Sequence, residues 1–227
     1  MALGIVLASA ALWVAAPADA GTVEAGIAGL RISVPVTSLR EARFATVVRQ
    51  RYDFSCGSAA VATLLTHHYG RPTDEEQAFA AMFQVGNQDD IRRYGFSLLD
   101  MQNFLAMRGL RADGFRITLD ELAKIGVPAI TLISIRGYKH FVVVKGTRDG
   151  HVLVGDPALG LKVMRRGDFE EVWDRVMFVV RDDIEPARTT FNRDEEWRIR
   201  RRGPLAAGVD RRGLAGFSLL LPRLNEF

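Results

Sequence analysis

The chain has 227 residues, of which 48% are hydrophobic and 25% charged, and its formal net charge is +3. This is an ordinary globular composition, long enough for one domain with extensions or for two small domains. The basic excess is local, in "WRIRRRG" at 197–203 and "DRRG" at 210–213, and no nucleic-acid-binding motif accompanies it. We therefore predict a solvated basic tail and no nucleic-acid partner.

The first twenty residues have the pattern of a signal peptide. "ALGIVLASAALWVAA" is a continuous apolar run, and Ala18-x-Ala20 gives the small-x-small pattern that a signal peptidase reads. The run is too short and too rich in alanine for a convincing membrane span. No Lys or Arg precedes it, which leaves an uncleaved anchor open. We predict a signal peptide over 1–20 and a periplasmic or secreted protein.

An extended segment and then helices are predicted for the first half of the chain. Residues 21–47 form an N-terminal extension, whose weak alternation of apolar and polar residues indicates one or two strands. From Gly57 to Gly70 apolar residues recur at helical spacing, which places Cys56 at the N-terminus of a helix. The caps predicted for three later helices are Thr73 with Glu76, Ser97 with Asp100, and Thr118.

Strands dominate the second half. The β-rich segments are 110–117, 127–137, 140–146, 151–156, 159–166 and 176–182, with a helical segment at 167–173. Asp149-Gly150 predicts the turn of a hairpin. Because helices precede strands instead of alternating with them, we predict an α+β fold. The Arg-rich C-terminal tail, 184–227, is either disordered or docked through its apolar end.

Cys56 is the only cysteine in the chain. In an oxidising compartment it cannot form an internal disulfide, so it is buried, paired between chains or a working thiolate. Unpaired N–H groups at a helix N-terminus favour the thiolate, which is the nucleophilic form of cysteine. One cysteine with scattered histidines does not supply a zinc site, and we predict neither a metal nor another cofactor.

Four histidines are candidates for a general base. His67 and His68 lie about three helical turns from Cys56, roughly 16–18 Å away, and cannot reach the thiol. We predict that both are surface or partly packed side chains, and that His151, just after a turn, is exposed. His140 begins an apolar strand, which is a rigid mounting with an open side. Taken alone, His140 is more readily interpreted as a packed histidine.

Asp156 ends the strand predicted to pair with the strand of His140. Around a turn at 147–150 the two residues would lie together at the open end of the hairpin, about 5 Å apart if directly opposite. A carboxylate at that distance can orient the imidazole, although turn capping explains Asp156 alone. Gln50 precedes Cys56 by six residues, and its amide and the Cys56 backbone N–H could stabilise an oxyanion. Alone, a glutamine in a polar loop carries no signal.

The order Gln50, Cys56, His140, Asp156, with "GYKHFVVVKG", "VGDPALG" and "FEEVW" around them, resembles the C39 peptidase family, the bacteriocin-leader or double-glycine peptidases. The resemblance covers most of a predicted peptidase domain at 48–183. It implies a papain-like fold, with N-terminal helices packed on an antiparallel β-sheet. It also implies that Cys56 is the nucleophile, His140 the general base, Asp156 its orienter and Gln50 the oxyanion donor.

The same resemblance implies a cysteine endopeptidase that cuts an exported peptide or protein after a Gly-Gly pair. Many family members are the front end of an ABC transporter, but this sequence has no "GxxxxGK[ST]" nucleotide loop. It resembles instead the stand-alone exported members found beside secretion systems for surface fibres or pili. Two alternatives stay open: a non-cleaving peptide-binding module of a secretion system, and a transpeptidase with the same triad. All four site positions are filled, which favours cleavage over binding alone.

Overall fold

The computed structural model describes residues 22–27, 30–35 and 37–200 and divides the chain into two units, 1–38 and 39–227. The first unit holds an antiparallel hairpin of β1 (Thr22–Ile27) and β2 (Leu30–Pro35), which agrees with the alternation of the sequence there. The predicted signal peptide and residues 201–227 of the predicted tail lie outside the described residues.

Helices dominate the first half of the second unit. The described part of this unit contains α1 (Leu39–Phe44), α2 (Cys56–His68), α3 (Glu75–Val85), α4 (Gln88–Tyr94), α5 (Leu98–Met107) and α6 (Leu119–Ile125), and in its second half α7 (Arg166–Val172), α8 (Ile184–Thr190) and α9 (Asp194–Trp197), followed by a 3-10 turn at Arg198–Arg200. None of the helices in the described ranges has the length and apolar character needed to cross a membrane.

Helix caps are predicted correctly at two of three positions. Ser97 and Thr118 both form capping boxes, in which the cap and the third helical residue exchange hydrogen bonds. The prediction for α3 is wrong by one residue, because Asp74 accepts the hydrogen bond from the Glu76 backbone N–H. Thr73 is buried instead, and its hydroxyl donates to the carbonyl of Arg71.

The six described strands of the second unit form one antiparallel sheet, in the order β3-β8-β4-β5-β6-β7. Their bounds are β3 (Ala112–Arg116), β4 (Ala129–Ile135), β5 (Tyr138–Arg148), β6 (His151–Asp156), β7 (Gly160–Arg165) and β8 (Val176–Val180). The α+β prediction is confirmed, with the helices of the first half followed by an antiparallel sheet. The sequence did not predict α1, α4, α8 and α9, which are short helices of six, seven, seven and four residues.

Helix α2 lies at the centre of this unit. It packs on α3, α5 and α8 and on β5, and its residues from Cys56 to Leu65 are all buried. A helix that is apolar on every side is stable only when it is surrounded, and the alanines of α2 let its neighbours approach closely. A Cβ on Gly57 would come within 2.9 Å of Met101 Cε and Phe96 Cβ. The segment that carries the cysteine is therefore rigid.

Residues 184–200 fold back onto the same unit. Thr190 of α8 is hydrogen-bonded to Nδ1 of His68 at 2.7 Å, and Glu196 of α9 is ion-paired with Lys145 at 2.6 Å. His68 is consequently buried more deeply than predicted, with 1% of its surface exposed. Burial and the nearby charge of Lys145 lower the pKa of His68 well below its usual value.

Candidate active site

Cys56 is the first residue of α2 and has 6% of its surface exposed. The loop before it is closed by Ser55, whose hydroxyl accepts from the Tyr52 backbone N–H at 3.1 Å and donates to the Tyr52 carbonyl at 3.0 Å. The backbone N–H groups of the first helical turn have no partner within the helix, and their partial positive charge favours an anion at this end. The position of the thiol is as predicted.

His140 on β5 and Asp156 at the end of β6 are joined directly. The Nε2–H of His140 donates to Oδ1 of Asp156 at 2.8 Å, and both side chains are buried. Oδ1 also accepts from the backbone N–H groups of Ala158 and Leu159, at 2.9 and 3.2 Å. Asp156 therefore accepts hydrogen bonds from its own turn and from the imidazole at the same time, which are the contacts that its two predicted roles require.

A β-bulge at Lys145 places these two side chains on the same face of the sheet. Next to the turn, Arg148 pairs with His151 and Gly146 with Leu153, whereas Val143 pairs with Gly155, so β5 has one extra residue. Without the bulge Asp156 would oppose Val143, whose side chain lies on the opposite face from His140. The predicted hairpin is correct. With the register that its turn sets, however, the side chains of His140 and Asp156 would lie on opposite faces of the sheet.

The bulge is held by buried polar contacts from two distant segments. The Lys145 ammonium donates to the carbonyl and hydroxyl oxygens of Thr46, at 2.7 and 2.9 Å, and to Glu196 at 2.6 Å. The Lys145 carbonyl accepts from the Asn192 backbone N–H at 2.9 Å. The side chains of Lys145 and Glu196 are 0% and 3% exposed. Because an unpaired buried charge is costly, these contacts stabilise the bulge only as a set.

The electrostatics of the pair favour a protonated His140. Burial alone would lower the pKa of His140, but the hydrogen bond with Asp156, the interaction with Cys56 and the negative charges of both raise it to about 9. Burial raises the pKa of Asp156, and the opposing effects of His140 and Lys162 hold it well below its usual range. Since Asp156 occupies Nε2, the nitrogen left for the thiol is Nδ1, which is buried and has no hydrogen-bond partner among the described residues.

Gln50 makes hydrogen bonds to the turn after Asp156 and to the loop before Cys56. Its backbone N–H donates to the Pro157 carbonyl at 3.0 Å, next to Asp156, and its side-chain Nε2 donates to the Tyr52 carbonyl at 3.0 Å. A primary amide carries two N–H bonds, so one hydrogen of Nε2 stays available to a further acceptor. The predicted oxyanion donor thus lies between the loop that precedes Cys56 and the turn that follows Asp156.

Tyr138 is a site residue that the sequence analysis missed. Its ring stacks on His140 with centroids 6.1 Å apart, and its hydroxyl donates to the Asp53 carbonyl at 2.9 Å. Burial and the negative charges of Cys56, Asp53 and Asp156 raise its pKa. Tyr138 therefore connects the start of β5 to the loop before Cys56. Its position two residues before His140, on the same face of a strand, was the available signal.

The remaining histidines lie elsewhere. His67 and His68 are at the far end of α2, and Nδ1 of His151 contacts the Asp149 carbonyl at 2.7 Å. His151 is half-buried, whereas the sequence analysis predicted that it is exposed. Within residues 22–27, 30–35 and 37–200, no three His, Cys, Asp or Glu side chains are grouped so that they could hold a metal ion.

The sequence matches a family model and two described relatives. The model of the peptidase C39 family matches residues 45–185. A protein of Pseudomonas aeruginosa described as a probable functional amyloid protease, FapD, is 46% identical over 145 residues, which are 64% of this chain and 64% of the relative. The protein of the same description from Pseudomonas fluorescens is 43% identical over 171 residues, or 74% of this chain and 76% of the relative.

The fold also matches a solved structure. The peptidase domain of Streptococcus ComA, a bifunctional ABC transporter involved in a quorum-sensing pathway, superimposes with a TM-score of 0.51. The two sequences are 19% identical, and the match covers 60% of this chain and 96% of that domain. Similarity at this identity concerns the fold alone, and it confirms the predicted papain-like arrangement.

Proposed function

The chain belongs to the peptidase C39 family and carries a cysteine peptidase domain, and from this premise we propose that it is an exported endopeptidase acting through Cys56, His140 and Asp156. The observation that carries the proposal is the buried His140–Asp156 hydrogen bond of 2.8 Å, on an imidazole whose Nδ1 is buried without a partner among the described residues and whose pKa is raised in part by Cys56, the only cysteine of the chain. A nucleophile, a base and an orienter of the base are the minimal set for this chemistry.

The proposed reaction is an acyl transfer in two steps. The Cys56 thiolate attacks the scissile carbonyl carbon, and the C–N bond breaks as the His140 imidazolium gives its proton to the leaving amine. His140, now neutral, takes a proton from water, whose oxygen attacks the thioester and releases the thiolate and the new carboxyl end. Asp156 holds the imidazole in one tautomer and orientation throughout.

The oxyanion of each step requires hydrogen-bond donors. We assign this role to the backbone N–H of Cys56 and to the side-chain amide of Gln50. The hydrogen bond from Nε2 of Gln50 to the Tyr52 carbonyl supports the assignment, because it fixes the direction of an amide that keeps one free hydrogen. The Pro157 carbonyl accepts a hydrogen bond from the Gln50 backbone N–H, and Asp156 accepts one from His140. The same turn therefore positions both the oxyanion donor and the base.

An aromatic surface beside the site supports a peptide substrate. It consists of Tyr52, Phe54, Phe79 and Phe83, which pack with the buried ring of Phe96 at centroid distances of 5.2–5.8 Å. Tyr52 is 52% exposed. Partly exposed aromatic rings next to a nucleophile are suited to bind apolar side chains of an extended or helical peptide.

For the substrate we propose an exported protein of a surface-fibre system, cut after a Gly-Gly pair, with the enzyme in the periplasm or secreted. The description of the two Pseudomonas relatives as probable functional amyloid proteases supports the fibre system. The apolar run and Ala18-x-Ala20 at the start of the chain support export.

Cleavage of a peptide library by the purified chain, mapped by mass spectrometry, tests the proposed function. The library contains matched peptides with Gly-Gly, Gly-Ala and Ala-Ala at one position. We expect cuts after Gly-Gly by the wild-type protein and none by Cys56→Ala, whose circular dichroism spectrum stays unchanged. Cleavage by Cys56→Ala at the wild-type rate contradicts the nucleophile. A wild-type protein that binds these peptides without cutting them supports the peptide-binding module instead.

A further inference from the structure

Lys162 contacts Oδ2 of Asp156, whereas His140 and the backbone of the turn contact Oδ1. Oδ1 of Asp156 accepts three hydrogen bonds, from His140, Ala158 and Leu159. Oδ2 accepts from the Lys162 ammonium at 2.7 Å. The Lys162 side chain is 23% exposed, whereas that of Asp156 is 3% exposed, so the ammonium reaches a buried carboxylate from the border of the solvent.

The strand pairing fixes Lys162 in this place. Asp156 of β6 pairs with Gly160 of β7, and Val154 pairs with Lys162. Lys162 therefore lies diagonally across from Asp156 on the same face, within reach of a long side chain. A residue with a shorter side chain would not reach Oδ2 from this position, and a residue one place along β7 would point to the other face.

We propose that Lys162 is a positioning residue of the catalytic site, which holds the Asp156 carboxylate in the orientation that serves His140 and sets the pH range of the Cys56–His140 pair. The proposal deepens the function proposed above and rests on it. The contact of Lys162 in the site is its hydrogen bond to Asp156, so it acts on the thiol and the imidazole through Asp156 and through its charge.

The charges around the site determine the sign of the effect. His140 of β5 and Lys162 of β7 are the ionisable groups that act on Asp156, and both lower its pKa against the opposing effect of burial. On His140 the ionisable groups acting are Asp156 and Cys56 of α2, and Tyr138 lies against its ring. Lys162 is a positive charge beside this set, so it disfavours the uptake of a further proton.

Loss of that charge makes the site easier to protonate. The thiolate of Cys56 then takes up a proton at a higher pH than in the wild-type protein. A contact that only stabilised the hairpin would change the free energy of unfolding and leave this pH unchanged. The pH dependence of the thiol therefore separates a positioning role from a purely structural one.

Alkylation of Cys56 by iodoacetamide measures this dependence without a substrate, because the chain has no other cysteine. Rates are recorded against pH for the full wild-type chain and for Lys162→Met, Lys162→Gln and Lys162→Arg. Lys162→Gln keeps a polar but uncharged side chain and replaces Lys162→Met if the latter does not fold. Lys124→Met, in which an exposed lysine of α6 is removed, controls for the change in net charge.

The quantity compared among these proteins is the midpoint of alkylation, the pH at which the rate is half of its maximum. Lys162→Met and Lys162→Gln move it upward by roughly half to one pH unit, whereas Lys162→Arg and Lys124→Met leave it in place. Midpoints of Lys162→Met and Lys162→Gln equal to the wild-type value overturn the proposal, as does an equal shift in Lys124→Met. A wild-type chain that is alkylated at Cys56 but cleaves none of the library peptides overturns the proposed function itself, and this proposal with it.

Discussion

Nε2 of His140 lies 2.8 Å from Oδ1 of Asp156, although the register of the turn between their strands would put the two side chains on opposite faces of the sheet. The extra residue that corrects the register is Lys145, a lysine with no exposed side-chain surface. The pairing of base and carboxylate thus depends on a bulge, which in turn depends on Thr46 and Glu196, far from both in sequence.

The base and its orienter are expected to differ in their effect on cleavage. His140→Ala removes the proton carrier and lowers kcat by on the order of 10³ or more. Asp156→Asn keeps the turn and part of the imidazole contact, and we expect a smaller loss that leaves measurable activity. His151→Gln, a histidine outside the site, controls for the substitution itself. Rates of peptide cleavage check this, and near wild-type kcat in His140→Ala contradicts the assignment of the base.

The buried Lys145–Glu196 ion pair at the bulge is expected to contribute more to the free energy of unfolding than the exposed Arg148–Asp194 pair. Glu196→Ala leaves the Lys145 ammonium buried without its counter-ion, and the free energy of unfolding falls by about 3–5 kcal/mol. Asp194→Ala removes an exposed ion pair with Arg148, in which Asp194 is 73% exposed, and costs about 0–1 kcal/mol. Urea unfolding of both variants measures the difference. Equal losses would show that the buried pair does not stabilise the bulge.

The Glu196→Ala and Asp194→Ala variants are also expected to differ in cleavage activity. If the bulge controls the register, Glu196→Ala also loses cleavage activity at a temperature where it is still folded, whereas Asp194→Ala keeps it. A folded Glu196→Ala variant with wild-type kcat would separate the bulge from the geometry of His140 and Asp156.

The protonation of His140 makes stability depend on pH on the alkaline side. Its pKa is about 9 in the folded protein against a usual value of 6.5, so its contribution is complete below pH 6.5 and is lost as the pH rises through 9. The free energy of unfolding should fall by up to about 3 kcal/mol across this window. His140→Gln removes this part of the slope, and His151→Gln keeps it. An equal slope in all three proteins excludes His140 as its source.

The histidines at the far end of α2 act in the opposite direction. Burial and the charge of Lys145 lower the pKa of His67 to about 4, and the same two effects lower that of His68. Their neutral forms therefore stabilise the fold above pH 6.5, and this stability is lost as the pH falls toward 4. Urea unfolding between pH 7 and 4 should show the loss, and His67→Gln should reduce it. An unchanged acid slope in His67→Gln would assign the loss to other groups.

Local patterns predicted the helices and strands that position the site, and long-range contacts account for what was missed. Cys56 could be placed at a helix start because apolar periodicity begins just after it, and Asp149-Gly150 marked the hairpin of His140 and Asp156. The bulge has no local signal, since it is stabilised by Glu196, which lies in the segment predicted to be a tail. The full burial of His68, predicted as a surface or partly packed side chain, was missed for the same reason, because its partner Thr190 also belongs to that segment.

The central claim is that Cys56 and His140 form an interacting pair held by Asp156, and NMR titration of the four histidine side chains tests it most directly. We predict that the ring signals of His140 titrate near pH 9 in the wild-type protein, and that the titration moves to lower pH in Cys56→Ala, because the interaction with the thiol contributes to the raised pKa. A His140 ring that titrates near 6.5 and does not respond to Cys56→Ala would contradict the account.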